Sequence, residues 1–226
     1  MGMSKKVGVL LSGCGVFDGA EIHESVLTLL FLDRAGAEVV CMAPNVDQAH
    51  VINHLTHQET TEKRNVLVES ARIARGNIQD VAQANASELD ALILPGGFGA
   101  AKNLSDVAVK GPDATVQADV ERLIRDWAAA GKPIGAVCIA PATLARALYD
   151  KKPEVTIGND TGTAAGIDRM GGHHKVCTVD MIHVDTSNRL VTTPAYMLGP
   201  GIKDVAVGIE KLVNQIMAMI PGDGNG

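Results

Sequence analysis

The stretch Lys132-Pro133-Ile134-Gly135-Ala136-Val137-Cys138-Ile139-Ala140-Pro141-Ala142-Thr143-Leu144-Ala145-Arg146-Ala147-Leu148 decides the fold. Up to Val137 it reads as a short buried strand, and from Ile139 onward as a helix. No loop separates the two, so one residue must make the turn. That residue is Cys138, with Ala136 and Ala140 two positions to either side. Small neighbours let strand and helix approach closely, and a strained turn presents the side chain between them, as in a nucleophile elbow. A thiol in that position predicts covalent chemistry.

Working outward, the same alternation of short apolar runs and helices recurs. Val7 to Leu11 predicts a strand, Ala20 to Ala35 a helix with Ile22, Val26, Leu29, Leu30 and Leu32 inward, and Glu38 to Ala43 the next strand. Arg64 to Arg75 predicts a helix with Val68, Ala71 and Ile73 inward. Asn77 to Asp90 is polar and reads as a surface segment, and Ala91 to Leu94 is a continuous apolar strand. Asp113 to Ala130 is an amphipathic helix. Beyond Tyr149, strands are expected at Val155–Gly158, Met181–Asp185 and Leu190–Thr193. A closing helix is expected from Asp204 to Met219, with Val205, Val207, Ile209, Leu212, Val213 and Ile216 inward, then a fraying tail over 221–226. No internal repeat or linker divides the chain. The expectation is one doubly wound α/β domain over residues 1–226, its sheet mostly parallel with helices on both faces.

The composition agrees. Of 226 residues, 46% are hydrophobic but only 3% aromatic, so the core is built from Ala, Val, Leu and Ile. The net charge of −6 and the lack of a basic stripe argue against nucleic acid or an anionic membrane as partner. No apolar run has the length of a membrane span or signal segment, so a cytoplasmic setting is expected. Cys14, Cys41, Cys138 and Cys177 form neither a C-x-x-C pair nor a zinc pattern.

Function in a parallel α/β sheet collects beyond the carboxyl ends of the strands. Three such ends carry chemistry: Ser12 to Gly19, Pro95 to Ala101, and Cys138. At the start of a helix, Cys138 would have its thiolate favoured by the dipole. The backbone N–H groups of Ile139 and of the Gly96-Gly97 turn would form an oxyanion site. Glu21, in the first turn of the first helix, is a candidate proton carrier, although first-turn acids also serve the helix dipole alone. Glu24 and Asp18 are weaker forms of the same idea. Cys14, Gly15, Asp18 and Phe98 are candidates for the substrate pocket.

Other patterns weigh less. Gly13-Cys14-Gly15-Val16-Phe17-Asp18-Gly19 places its third glycine one residue too late for a dinucleotide fingerprint. His50, His54 and His57 would share one face of a helix and could hold zinc, but surface histidines are the better reading. His173, His174 and His183 are alternative bases for Cys138, and spacing does not choose among them. No cofactor or metal is expected.

Longer motifs carry a resemblance. Leu11 to Glu24, Val51 to Thr56, Pro95 to Leu104, Cys138-Ile139-Ala140-Pro141 and Thr192 to Met197 resemble the ThiJ/PfpI superfamily, relatives of class I glutamine amidotransferases. Within it they look like the ElbB family, bacterial glyoxalase-type proteins once named for enhanced isoprenoid production. The resemblance runs from about Lys6 to Val213. It implies a flavodoxin-like sandwich, a homodimer and a cofactor-independent glyoxalase, a lyase converting glyoxal and water to glycolate, with repair of glycated groups as related chemistry. Carried over, Cys138 is the nucleophile, Glu21 its proton partner, and Gly97 and Ile139 the oxyanion donors. Ile139 stands where many superfamily peptidases have histidine, and no His-x-Glu occurs near Thr193-Pro194-Ala195-Tyr196, which argues against peptide or glutamine hydrolysis. The rival readings are a redox-sensing or regulatory protein whose thiol is oxidised without turnover, and a noncatalytic subunit of a biosynthetic complex.

Overall fold

The structure, a computed structural model, describes residues 4–221. The expected fray over 222–226 lies outside the described residues. The chain runs β1 (Lys6–Leu10), α1 (Ile22–Arg34), β2 (Glu38–Ala43), β3 (Ile52–Asn53), β4 (Gln58–Glu59), α2 (Val66–Ile73), β5 (Ile78–Asp80) and β6 (Ala91–Leu94). It continues through α3 (Phe98–Lys102), α4 (Val107–Lys110), α5 (Ala118–Ala129), β7 (Ile134–Val137), α6 (Ala140–Ala147), β8 (Glu154–Gly158) and α7 (Thr161–Arg169). It closes with β9 (His173–Val176), β10 (His183–Asp185), β11 (Leu190–Thr193) and α8 (Ile202–Met219).

Seven strands form the central sheet in the order β10-β11-β7-β6-β1-β2-β5. Every neighbouring pair is parallel except β10 with β11. The strands β1, β6 and β7 are adjacent, so the three loops singled out from sequence leave the same edge side by side. Alternating side chains divide the interior. Leu10, Leu92, Leu94, Ile134 and Ala136 face a core with Leu123, Trp127 and Leu144 of α5 and α6. Val9, Ile93, Val137 and Val191 face the other, with Phe31 of α1 and Ile209, Leu212 and Ile216 of α8. Gly135 lets α8 press close: a Cβ there would lie 3.0 Å from Leu212 and 3.4 Å from Ile216.

Several expectations need correction. On α1 the buried residues are Glu24, Ser25, Leu27, Thr28, Phe31 and Leu32, while Ile22, Val26 and Leu30 are exposed. The inward face is partly polar because it runs into the site rather than only into the core. Val68 on α2 and Val207 on α8 are also exposed. The polar segment after Asn77 contains the edge strand β5, paired to β2 through its backbone. The segment read as a loop around His173 is β9, which pairs with β8 in a small separate sheet next to α7.

Candidate active site

Cys138 adopts φ +62°, the left-handed conformation that L-residues other than glycine avoid. The constraint comes from both sides. Its N–H donates to Thr193 O of β11 at 2.9 Å, extending the β7–β11 ladder, and α6 begins two residues later at Ala140. The local cost of about 1 to 2 kcal/mol is borne by this ladder and by helix packing. The side chain points into the space beneath Gly96. There a Cβ would strike Glu24 Oε2, the Cys138 Cβ and the Val137 carbonyl, so only glycine fits. Gly97 follows at φ +94°, and its N–H and that of Ile139 act on the Cys138 thiol so as to favour its ionised form.

The carboxyl group against the thiol is that of Glu24. Fully buried, it lies beside Cys138 beneath Gly96, and it accepts Gly96 N–H on Oε2 at 3.0 Å and Tyr196 N–H on Oε1 at 3.2 Å. Glu21, given this place from sequence, sits one turn earlier. It is the N-cap of α1, its Oε2 accepting the Glu24 N–H at 2.7 Å, which satisfies a free donor of the first turn. Glu24 lies three residues beyond the cap, on the face shared with Leu27, Thr28 and Phe31. That i, i+3, i+4, i+7 pattern is the signal that could have marked it as inward.

Burial, and next the nearby Glu21 carboxylate, push Glu24 up to about 8. The Cys138 thiol is also pushed up, first by burial and then by Glu24, while the Gly97 and Ile139 N–H groups pull it down. The thiolate expected from the helix dipole is therefore not the resting form: with 8% of its surface exposed, desolvation outweighs the helix terminus. At neutral pH the site is a thiol beside a carboxylic acid. The first proton lost leaves one negative charge shared between sulfur and carboxylate, and that charge opposes loss of the second.

The remaining candidates separate. Asp18 is buried and structural: its Oδ2 accepts Ile52 N–H at 2.7 Å, and its carbonyl accepts the Asn103 amide at 2.9 Å. Gly15, at φ +137°, leaves room for the His54 imidazole, so both residues fasten the β3–β4 hairpin to the loop after β1. Cys14 is half-buried, its thiol pushed up by burial and by Glu69. Phe98 opens α3 and lines a cleft of about 340 Å³ that Ile139 also lines.

The histidines likewise resolve. His50, His54 and His57 fall around the β3–β4 hairpin, not on one helix, and the rings of His54 and His57 flank Phe17 at 5.0 and 4.7 Å. Among the described residues no three His, Cys, Asp or Glu side chains group as a metal site. His174 accepts Ile157 N–H and His183 pairs with Glu154 at 3.2 Å, both on the β8–β9 flank. His23, which sequence reading passed over, is hydrogen-bonded through Nδ1 to the Tyr196 hydroxyl at 2.7 Å. Tyr196 itself follows Ala195, another non-glycine residue at positive φ (+45°).

A parallel sheet with a left-handed cysteine between strand and helix, backed by a buried carboxyl, defines a flavodoxin-like protein of the class I glutamine amidotransferase-like type. The chain belongs to the DJ-1/PfpI family, which it matches over residues 14–193. It is 47% identical to human glutamine amidotransferase-like class 1 domain-containing protein 3, mitochondrial, over 95% of this chain and 83% of that one. It superposes with a TM-score of 0.91 and 39% identity on an isoprenoid biosynthesis protein with amidotransferase-like domain from Ehrlichia chaffeensis, covering 96% of this chain and all of that one. Glyoxalase III of Candida albicans shares the fold, with a TM-score of 0.60 and 13% identity over 96% of this chain and 98% of that one. The human relative is mitochondrial, as are those from rat and zebrafish, which overturns the cytoplasmic expectation. Compartment is set by transport, about which the lack of a long apolar run used to infer it is silent.

Proposed function

We propose that this protein is a cofactor-independent glyoxalase of the ElbB type, with Cys138 as nucleophile and Glu24, in place of Glu21, as the proton carrier. The observation carrying the reading is the buried Glu24 carboxyl set beside a left-handed Cys138 beneath Gly96. In the singly ionised pair Glu24 is the carboxylate and Cys138 the thiol, and Glu24 takes the thiol proton as the sulfur approaches its substrate. The thiolate attacks one aldehyde carbon of glyoxal, and the new oxygen takes the Glu24 proton, giving a hemithioacetal. The Gly97 and Ile139 N–H groups stabilise the charge as it moves from sulfur to oxygen. The Glu24 carboxylate then removes the hydrogen from that carbon and returns it to the neighbouring one, while a proton passes between the two oxygens. The product is a glycolyl thioester, one carbon oxidised and the other reduced, with no external oxidant. Water attacks the thioester, Glu24 takes its proton, glycolic acid leaves, and the starting pair is restored.

The test is glyoxal turnover with glycolate as the measured product. Cys138→Ala is expected to lose it entirely, and retained activity in that variant overturns the mechanism. A redox-sensing thiol is low in pKa and partly exposed. Burial and the upward shift of Cys138 favour turnover over sensing. A homodimer is part of the proposal. It is supported by the exposed apolar row Ile22, Val26 and Leu30 on α1, which the fold leaves uncovered.

A further inference from the structure

Glu24 is held by two backbone donors of different origin. Gly96 N–H comes from the turn after β6, fixed by the space above the thiol that only glycine fits. Tyr196 N–H comes from the short turn Ala195–Met197 after β11. In and just after that turn, the N–H groups of Met197, Leu198 and Gly199 bond back to the Pro194 and Ala195 carbonyls. The N–H of Tyr196 leaves the turn instead and reaches α1, redirected by the left-handed Ala195. The phenol of the same residue is anchored on α1 as well. Its hydroxyl lies 2.7 Å from His23 Nδ1, with the two rings 5.8 Å apart. Tyr196 therefore grips consecutive residues of one helix, His23 through its side chain and Glu24 through its main chain. The outer contact is exposed and adds nothing to the core. It also survives titration of the imidazole: a neutral ring accepts the hydroxyl proton at Nδ1, and a protonated ring donates to the hydroxyl oxygen.

Resting on the glyoxalase reading, we infer that Tyr196 is a positioning residue for Glu24, and that the His23–Tyr196 hydrogen bond locks its N–H onto Glu24 Oε1. A donor aimed at a carboxyl group stabilises the charged form over the neutral one. Burial and Glu21 push Glu24 up, and the Tyr196 N–H pulls it back. The lock therefore lets Glu24 take the thiol proton at a lower pH than burial alone would allow. The ionisable groups that face Glu24 are Glu21 on α1, Cys138 at the turn from β7 to α6, and the Tyr196 phenol itself. The turn from β6 to α3 passes Glu24 as Gly96-Gly97, which has no side chain to add. His23 acts on the carboxyl group only through Tyr196.

The experiment follows kcat/KM for glyoxal against pH in the full chain. Tyr196→Phe keeps the N–H and the ring and removes only the hydroxyl. Its rising limb is expected to move to higher pH by about half to one unit, as for a weakened hydrogen bond to a charged group. The loss is then about three- to tenfold at the foot of the limb and shrinks as pH rises. His23→Ala is expected to give the same shift, and the double variant no more than either alone. His23→Asn, whose Oδ1 can stand where Nδ1 stood, is expected to return the limb to its wild-type place. An exposed hydrogen bond adds little to global stability, so Tm should stay within about 3 °C of wild type in each variant. A limb that stays in place overturns the inference, both when activity is unchanged and when it falls equally at every pH. Shifts that add in the double variant overturn it as well. If the wild-type protein does not turn over glyoxal, the glyoxalase reading fails and the lock is tested on the thiol alone. Iodoacetamide alkylation of the Cys138 peptide, followed by mass spectrometry across pH, should then show the same upward shift in Tyr196→Phe; an unmoved midpoint overturns it.

Discussion

Glu24 is the residue whose charge state has the widest consequences. Its folded pKa of about 8 exceeds the ordinary 4.5, so the folded protein binds more protons than the unfolded chain between those two pH values. The contribution is fully present below pH 4.5 and is lost as pH rises through about 8, on the order of 5 kcal/mol at roughly 1.4 kcal/mol per unit. Glu24→Gln is expected to flatten the fall of the urea midpoint between pH 5 and 9. Its amide cannot accept both the Gly96 and Tyr196 N–H groups, so it is also expected to be less stable than wild type at pH 5, by about 1 to 3 kcal/mol. For activity the sign reverses: kcat/KM should rise with pH toward 8 as the pair loses its first proton, and Glu24→Gln should abolish that limb together with most of the turnover. Cys138 offers a second check at this scale. In an ordinary buried turn alanine outlasts glycine, but at φ +62° Cys138→Gly is expected to match or exceed Cys138→Ala by about 1 kcal/mol in unfolding measurements.

Among the elements, those defined by continuous apolar runs were legible in the sequence. The strands β1, β2, β6, β7 and β11 follow from Val, Ile and Leu density, and the Cys138 turn from the absence of any loop residue. The reading failed where burial is not hydrophobic. On α1 the inward face bears Glu24, Ser25 and Thr28, so a purely apolar criterion selected Ile22, Val26 and Leu30, which face out. The same criterion hid Glu24 behind Glu21. The edge strand β5 and the strand β9 were obscured because edge pairing needs only backbone groups and one packed face. Tyr196 enters the site through its N–H, which no side-chain pattern announces. Packing between elements gives a prediction of its own. Gly135→Val would push a branched side chain against Leu212 and Ile216, and should cost about 1 to 3 kcal/mol without touching the thiol.

For the whole molecule, the row Ile22, Val26 and Leu30 bears on assembly. A charge placed at its centre, Val26→Glu, is expected to shift the sedimentation coefficient from dimer to monomer while leaving the far-UV spectrum unchanged. A wild-type protein that sediments as a monomer removes the dimer from the proposal.

The thiol's surroundings come from residues 24, 96, 97, 138, 139 and 196, drawn from four separate parts of the chain. Such distant pairings close late, because loop entropy must be overcome before they form. Until β11 docks beside β7, Cys138 has neither its ladder partner Thr193 nor the Tyr196 segment that holds Glu24 in place. A partly synthesised chain therefore carries an ordinary cysteine with ordinary reactivity. Catalytic competence should be the last property gained on refolding, lagging behind the recovery of helical signal, so that recovered turnover reports completed topology.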